Sequence, residues 1–367
     1  MKIIVVDTSY NLNEFYKRGS LNVITARDLS NYFKNVYNVH PLSDLTNEKL
    51  VLNKSFYNYK KLNSTHSFYQ FISGKNKKLF FFNLIFFVFF QLKMIFFLSK
   101  LIKEYKINFI KAGDCLYAGL IGLILSKLTN RKLIIRIGSN NDKIRFETQR
   151  PIQKKFFRYI VVERFFEKLV IKNSYHILPA NINNGLYANS LYPCLNKSTV
   201  IRYGPLINDC HFQLPYKRII NNNLISENFN NNFKIIVCVS RLEKEKLVNH
   251  AIEVFSKLLD IDQYLKLFIV GDGSQKQMLE NLVKIKNIKD KVFFTGDKDQ
   301  LWISELFTLS SLVLSPHTGR ALCEAALAGT NVVGYNIDWQ SEIIENNYNG
   351  YLVDYKDIES LYKVAKK

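Results

Sequence analysis

Short apolar, β-branched runs alternate with segments of helical period along most of the chain, the pattern of successive parallel βα units. The alternation is most regular in the second part. Lys234–Val239, Leu265–Val270, Val292–Thr295, Ser311–Leu314, Asn331–Tyr335 and Tyr351–Val353 read there as strands. Leu247–Leu259, Gln275–Ile285, Gln300–Leu309, Arg320–Ala328, Gln340–Glu345 and Ile358–Ala365 carry helical spacing between them. This predicts a doubly wound, mostly parallel sheet with its ligand crevice at the strand C-terminal edge. The first part predicts strands at Lys2–Val6, Phe109–Ala112, Leu133–Ile137 and His176–Pro179. Helices are expected at Asn22–Phe33, Tyr117–Leu128 and Ile152–Val170, with Thr199–Gly204 closing the domain. The fold class is α/β. Its predicted domains are residues 1–214 and 233–367, joined by an asparagine-rich linker or loop over 215–232.

One stretch breaks the pattern. Leu79–Leu101 holds nine of the 28 phenylalanines and is flanked by Lys75, Lys77, Lys78, Lys103 and Lys106. Its length approaches a membrane span, but Asn83, Gln91, Lys93 and Ser99 interrupt it. Three readings stay open: a core helix, a helix lying in the membrane interface, and a span.

Charge sharpens this picture. The formal net charge is +20, from 51 basic and 31 acidic side chains. From Phe233 onward there are 17 basic and 18 acidic residues, leaving 34 and 13 before it, so the basic excess lies entirely in the first part. Such a field attracts anionic lipid, nucleic acid or phosphorylated small molecules. No nucleic-acid-binding module is recognisable, and no nucleic-acid partner is expected. The five cysteines are scattered without CxxC spacing, which fits a reducing compartment without a zinc site. After Met1-Lys2 the chain enters Ile3-Ile4-Val5-Val6, a first strand rather than a leader peptide.

Candidate chemistry gathers at the predicted strand ends of the second domain. Ser240-Arg241 follows the first strand and Lys246 lies five residues on, two cations suited to a diphosphate, although a solvated charged loop has the same spacing. Gly271-Asp272-Gly273-Ser274 follows the second strand, where glycines allow a tight turn and close approach and Ser274 is placed to cap a helix. Ser315–Gly334, SPHTGRALCEAALAGTNVVG, passes from a strand through His317-Thr318-Gly319 into a helix carrying Glu324. A helix start there would present unpaired N–H groups to a phosphate. Asp297 and Asp299 have metal-pair spacing but read as a solvated loop, so no metal is expected. The absence of HExxH, G-x-S-x-G and GxxxxGK[ST] disfavours zinc hydrolases, α/β-hydrolases and P-loop NTPases.

Taken together, Val239–Leu242 with Lys246, Ile269–Gly273, Phe294–Gly296, Leu314–Pro316, Gly319–Gly329, Glu342 and Asn349–Val353 occur in a family's order and spacing. The domain resembles the retaining glycosyltransferases of family four, glycosyl transferases group 1, which include sucrose synthases and many bacterial cell-surface polysaccharide enzymes. The resemblance implies the GT-B fold, two facing Rossmann-like domains, and sugar transfer from a nucleotide-sugar to a hydroxyl acceptor with retention. It implies no cofactor and no metal, the nucleotide-sugar being a co-substrate.

Carried over by position, Arg241 and Lys246 would hold the donor phosphates and stabilise the departing diphosphate. Glu324 would hold the ribose, and Gly271 and Gly273 would pass close to the nucleotide beside Ser240. Gly319, Arg320 and Ala321 would meet the diphosphate and sugar through their backbone. Eight positions before Glu324 the family has another glutamate, and this chain has Pro316, with His317 and Thr318 as the nearest polar replacements. The first domain is similar to the family's acceptor domain, with the glycine-rich loop reduced to Gly19 and with Asn140 and Asp142 as the residues that could face a sugar. Family members continue past the last strand with further helices, so the resemblance implies a C-terminal domain lacking them.

The basic first domain and the phenylalanine-rich stretch point to a glycan or lipid-linked acceptor and an anionic membrane surface, at the cytoplasmic face of the cell membrane. The alternative is a GT-B protein that does not transfer, such as a nucleotide-sugar epimerase or an inactive partner subunit.

Overall fold

Continuous apolar runs such as Ile3–Val6 and Ile235–Val239 form strands whose burial on both faces a parallel sheet provides. The computed structural model describes residues 1–17, 19–45, 56–74, 83–154, 156–202, 207–214, 233–317, 319–337 and 339–367. The expected linker over 215–232, Leu79–Phe82, Tyr203-Gly204 and Thr318 lie outside these residues. The described chain divides into two units, Met1–Leu206 and Ile207–Lys367.

The sheet of the first unit contains β1 (Lys2–Val6), β2 (Asn35–His40), β3 (Tyr57–Lys61), β4 (His66–Phe71), β5 (Phe109–Ala112), β6 (Lys132–Ile137) and β7 (His176–Pro179). Their order is β3-β4-β2-β1-β5-β6-β7, parallel except for β3, which pairs antiparallel with β4. From β1 the parallel strands step outward through β2 to β4, then return beside β1 and step the other way through β5, β6 and β7. The helices are α1 (Leu12–Lys17), α2 (Asn22–Thr25), α3 (Asn83–Glu104), α4 (Tyr117–Thr129), α5 (Asn141–Thr148), α6 (Ile160–Asn173) and α7 (Ile182–Leu191).

Two expected helices are corrected. Asn22–Phe33 stops early because Leu29, Ser30 and Asn31 all take positive φ, incompatible with helix continuation. Ile152–Val170 begins only at Ile160, preceded by the separate α5.

The second unit contains β8 (Lys234–Val239), β9 (Leu265–Val270), β10 (Val292–Gly296), β11 (Ser310–Ser315), β12 (Val332–Tyr335) and β13 (Gly350–Val353). All are parallel in the order β10-β9-β8-β11-β12-β13. Its helices are α8 (Val248–Leu259), α9 (Lys276–Ile285), α10 (Gln300–Leu309), α11 (Ala321–Leu327) and α12 (Ile358–Ala365). The expected helix Gln340–Glu345 is a single 3₁₀ turn, Gln340–Glu342. Residues 207–214, expected with the first domain, sit in the second unit: the fully buried His211 places Nε2 3.1 Å from Gln300 Oε1, and Ser304 Oγ donates to the Cys210 carbonyl.

Each sheet thus reverses its strand order once, between β1 and β5 in the first unit and between β8 and β11 in the second. Ligands of open α/β sheets bind at such reversals, outside the strand C-terminal ends.

Helix α3 is divided along its length. Met94, Leu98 and Ile102 are fully buried in the core that also holds Ile4, Ile110 and Leu133, so one face is core as the first reading of that stretch has it. Its outer face is exposed. By length and composition Leu84–Glu104 is also long and apolar enough to cross a membrane.

Candidate functional site

The reversal between β8 and β11 is built by loops that hold one another. The Ser240 N–H donates to the Val270 carbonyl at 3.0 Å, Leu242 N–H to Asp272 at 3.0 Å, and Gln275 N–H to Leu242 at 2.8 Å. A Cβ on Gly271, whose φ is +130°, would lie 2.0 Å from the Ser240 carbonyl oxygen, and one on Gly273 2.5 Å from that of Leu242. Contact between neighbouring loops is therefore sufficient reason for both glycines. Ser274 does not cap α9. Its hydroxyl donates to Glu243 at 2.6 Å, fastening the glycine loop to the Arg241 loop from the other side.

On this frame Arg241 extends into solvent, with Nη2 3.3 Å from Glu245 and its side chain 64% exposed. Lys246 ends the 3₁₀ turn Lys244–Lys246 ahead of α8. The Ser240 hydroxyl is buried with no hydrogen-bond partner among the described residues. Leaving a buried hydroxyl unsatisfied costs free energy that an arriving polar ligand can recover.

From the opposite side of the reversal, His317 donates through Nδ1 to the Glu245 carbonyl at 2.9 Å. That bond ties the end of β11 to the turn carrying both cations. No motif reveals this brace, because it joins the His317 ring to a backbone carbonyl 72 positions away. Pro316 has no polar side chain, and its carbonyl is held by Gln340, whose buried amide also donates to Ser315 and Tyr335. Gln340 was missed as well, because its site role is to fix backbone.

Gly319 leads into α11 with open space on its Cβ side, and Arg320 and Ala321 follow. Glu324 is almost fully buried, with Oε1 accepting from Arg320 Nε at 2.8 Å. Arg320, expected to act through its backbone, thus also contributes its guanidinium. Burial pushes the Glu324 carboxyl above its ordinary value of 4.5, and Arg320 opposes this only in part.

A carboxyl raised on folding favours the protonated native state. Its contribution is fully present below pH 4.5 and declines as pH rises through the raised value. Glu324→Gln is therefore expected to remove a loss of stability seen in the parent protein as pH climbs from 4.5. Urea unfolding midpoints across that range would check it, and parallel profiles for the two proteins would refute it.

In the first unit the reversal gathers residues that no motif indicated. Asp7, at the end of β1, pairs with Arg27 at 2.5 Å, and Arg27 also donates to Asn38 at 2.8 Å. Burial raises the Asp7 carboxyl, but Arg27 and Ser9 outweigh it and hold it below its usual value. Asp114, beyond β5, accepts from Thr8 at 3.1 Å and is pushed up by burial. Burial, aided by Arg27 and Arg136, brings the Lys111 ammonium down to about 8, and burial brings His40 down to about 4.

The acceptor-side residues named from the sequence lie elsewhere. Gly19 turns the chain after α1 with φ +56°. Asn140 caps α5 by accepting from Lys143 N–H and donates to Asn183. Asp142 pairs with Arg145 at 3.1 Å and Arg164 at 3.2 Å. Arg145, itself buried, also binds Glu163 at 2.6 Å and Glu167 at 2.8 Å, both fully buried. Of the loop carboxylates Asp297 and Asp299, Asp299 caps α10 by accepting from Trp302 N–H.

The comparisons with known proteins agree with this geometry. Residues 220–367 match the family model described as glycosyl transferases group 1. The N-acetyl-alpha-D-glucosaminyl L-malate synthase of Bacillus anthracis is 32% identical over 129 residues, 34% of this chain and 33% of that protein. The match therefore spans about a third of the curated relative's length. Among solved structures, Anabaena HepE in complex with UDP and glucose superposes with a TM-score of 0.70 at 14% identity, covering 99% of this chain and 88% of that one. Sucrose-phosphate synthase of Thermosynechococcus elongatus gives 0.71 at 14%, covering 100% and 89%. The chain has the two-domain α/β GT-B fold, and its residues 220–367 are similar to the glycosyl transferases group 1 family.

Proposed function

We propose that the protein is a glycosyltransferase that moves a sugar from a nucleotide-sugar to a hydroxyl acceptor. The observation that carries this is the pair Arg241 and Lys246 on the β8 turn, braced by His317 from the end of β11 across the strand-order reversal. Two cations there would balance the charge that grows on the diphosphate as its bond to the sugar breaks. The unpartnered Ser240 hydroxyl and the open side of Gly319 leave polar capacity and room beside them. HepE, solved with UDP and glucose, is a neighbour by fold, which supports a uridine nucleotide as the first donor to test.

Retention and independence from metal are part of the proposal and rest on the family. So does a lipid-linked or cell-surface glycan acceptor at the inner face of the cell membrane, which the basic excess before Phe233 favours. A second reading, nucleotide-sugar binding without transfer, draws on Pro316, which brings no carboxylate to the sugar.

UDP and UDP-sugars at a hundredfold excess over their dissociation constants are expected to stabilise the protein by roughly 2.7 kcal/mol. A thermal-shift series against UDP, GDP and their sugar conjugates measures this, and no shift with any of them refutes the donor site. UDP release that depends on an added hydroxyl acceptor separates transfer from the second reading.

A further inference from the structure

The outer faces of α3 and α6 carry the largest apolar exposure of the first unit. On α3, Leu84, Ile85, Val88, Phe89, Leu92 and Phe96 are exposed, Phe96 by 75%. On α6 and its approach, Tyr159, Val161, Val162 and Phe165 are exposed, Val161 by 79%. Soluble surfaces seldom present contiguous apolar area of this kind without a partner.

The two sets lie at the same ends of two helices that both pack on α4. Phe87 of α3 lies 5.9 Å from Phe156, three residues before Tyr159, and Tyr117 of α4 stacks on Phe156 at 4.4 Å. Helices that return to parallel strands run opposite to them, so the N-terminal ends of α3 and α6 stand at the strand C-terminal edge. Helix α3 has 22 residues, about 33 Å, against the four residues of β5, about 13 Å. It therefore overhangs the sheet at that edge. The described buried residues of α3 begin only at Gln91, which explains why the first turns are bare.

Charge selects the partner. Beyond the first apolar turns, α3 exposes Lys93, Lys100 and Lys103, with Phe96 among them and Glu104 as its last residue, and α6 exposes Arg164, Lys168 and Lys172. The acidic residues of α6, Glu163 and Glu167, are turned inward by Arg145, so every charge that α6 shows to solvent is positive. Both helices thus run from an apolar tip to a cationic shoulder, the profile of an anionic bilayer interface with acyl chains beneath phosphate headgroups.

We propose that the first unit docks on an anionic bilayer through the N-terminal halves of α3 and α6 together, with the strand C-terminal edge that carries Asp7 and Asp114 turned toward the lipid. This deepens the reading of a membrane-borne acceptor given above, and rests on it only for what that edge would receive.

Flotation of the full chain with phosphatidylglycerol-containing vesicles should show at least tenfold stronger binding than with phosphatidylcholine alone, weakening as salt rises. In separate variants, Phe89→Trp and Phe165→Trp should be quenched by lipids brominated along the acyl chain. Tyr105→Trp, at the far end of α3, should not be. Phe89→Ser combined with Phe96→Ser should lower vesicle binding about tenfold or more and leave the thermal shift with UDP unchanged. Equal binding to neutral vesicles, quenching at position 89 without 165, or a dimer that shields both positions in sedimentation and fluorescence would overturn the proposal. A UDP shift without vesicle binding would remove the docking and leave the donor reading standing, whereas vesicle binding without a UDP shift would do the reverse.

Discussion

Replacing Arg241 by alanine is expected to lower kcat/KM for sugar transfer about 10²–10³-fold, the loss typical of removing one preorganised donor to a developing anion. The protein without ligand should unfold at nearly the same temperature. Arg241 is mostly solvent-exposed, and its contact with Glu245 is a surface ion pair of the kind worth little. A large kinetic effect with a small effect on stability is what separates a ligand contact from a structural residue. Lys246→Ala should fall in the same range, and the double variant should lose less than the product of the two, because both cations would serve one diphosphate. Steady-state kinetics with saturating acceptor, paired with thermal unfolding, would decide it. An Arg241→Ala enzyme within threefold of the parent would place the charge stabilisation elsewhere.

The largest loss of stability is expected at Arg145. Its guanidinium is almost wholly buried and meets Asp142, Glu163 and Glu167, and the last two have no exposure. Glu163 also accepts the backbone N–H groups of Ile152 and Gln153, so it fixes the chain that leads into α6. Arg145→Ala strands two carboxylates in the interior and is expected to cost about 3–5 kcal/mol. Adding Glu163→Gln and Glu167→Gln should recover part of that cost, since neutral amides carry no unpaired charge. Urea unfolding of the four proteins checks both statements. A cost below 1 kcal/mol for Arg145→Ala would mean that water reaches the cluster.

These two arginines show what a sequence can and cannot reveal. Arg241 was legible because it follows an unbroken apolar strand, and strand ends in a parallel sheet are where ligands meet the backbone. Arg145 was not, because nothing in Asn141–Thr148 distinguishes a charge paired inside a core from one in water. The same contrast runs through the fold. The strands of the second unit read directly from runs such as Ile235–Val239 and Leu267–Val270, buried on both faces. The strands β2 and β4 did not, since they carry Asn38, His40, His66 and Gln70 into buried positions. Their polar groups are met by partners distant in sequence, as when Arg27 reaches Asn38 and the Leu12 N–H reaches Gln70. At the candidate site the cations, glycines and Glu324 came from spacing. The contacts of Glu245 and Gln340 did not, because they depend on which loops lie side by side.

The antiparallel strand β3 has a consequence for the protein in concentrated solution. Among the described residues it ends the first sheet on one side, the position at which a strand from another chain could add. It is short, and its exposed tail is Lys60-Lys61. A second copy of β3 adding there in parallel and in register would set lysines against lysines. Among the described residues, the strand that departs from the parallel pattern thus disfavours in-register stacking of one copy on another.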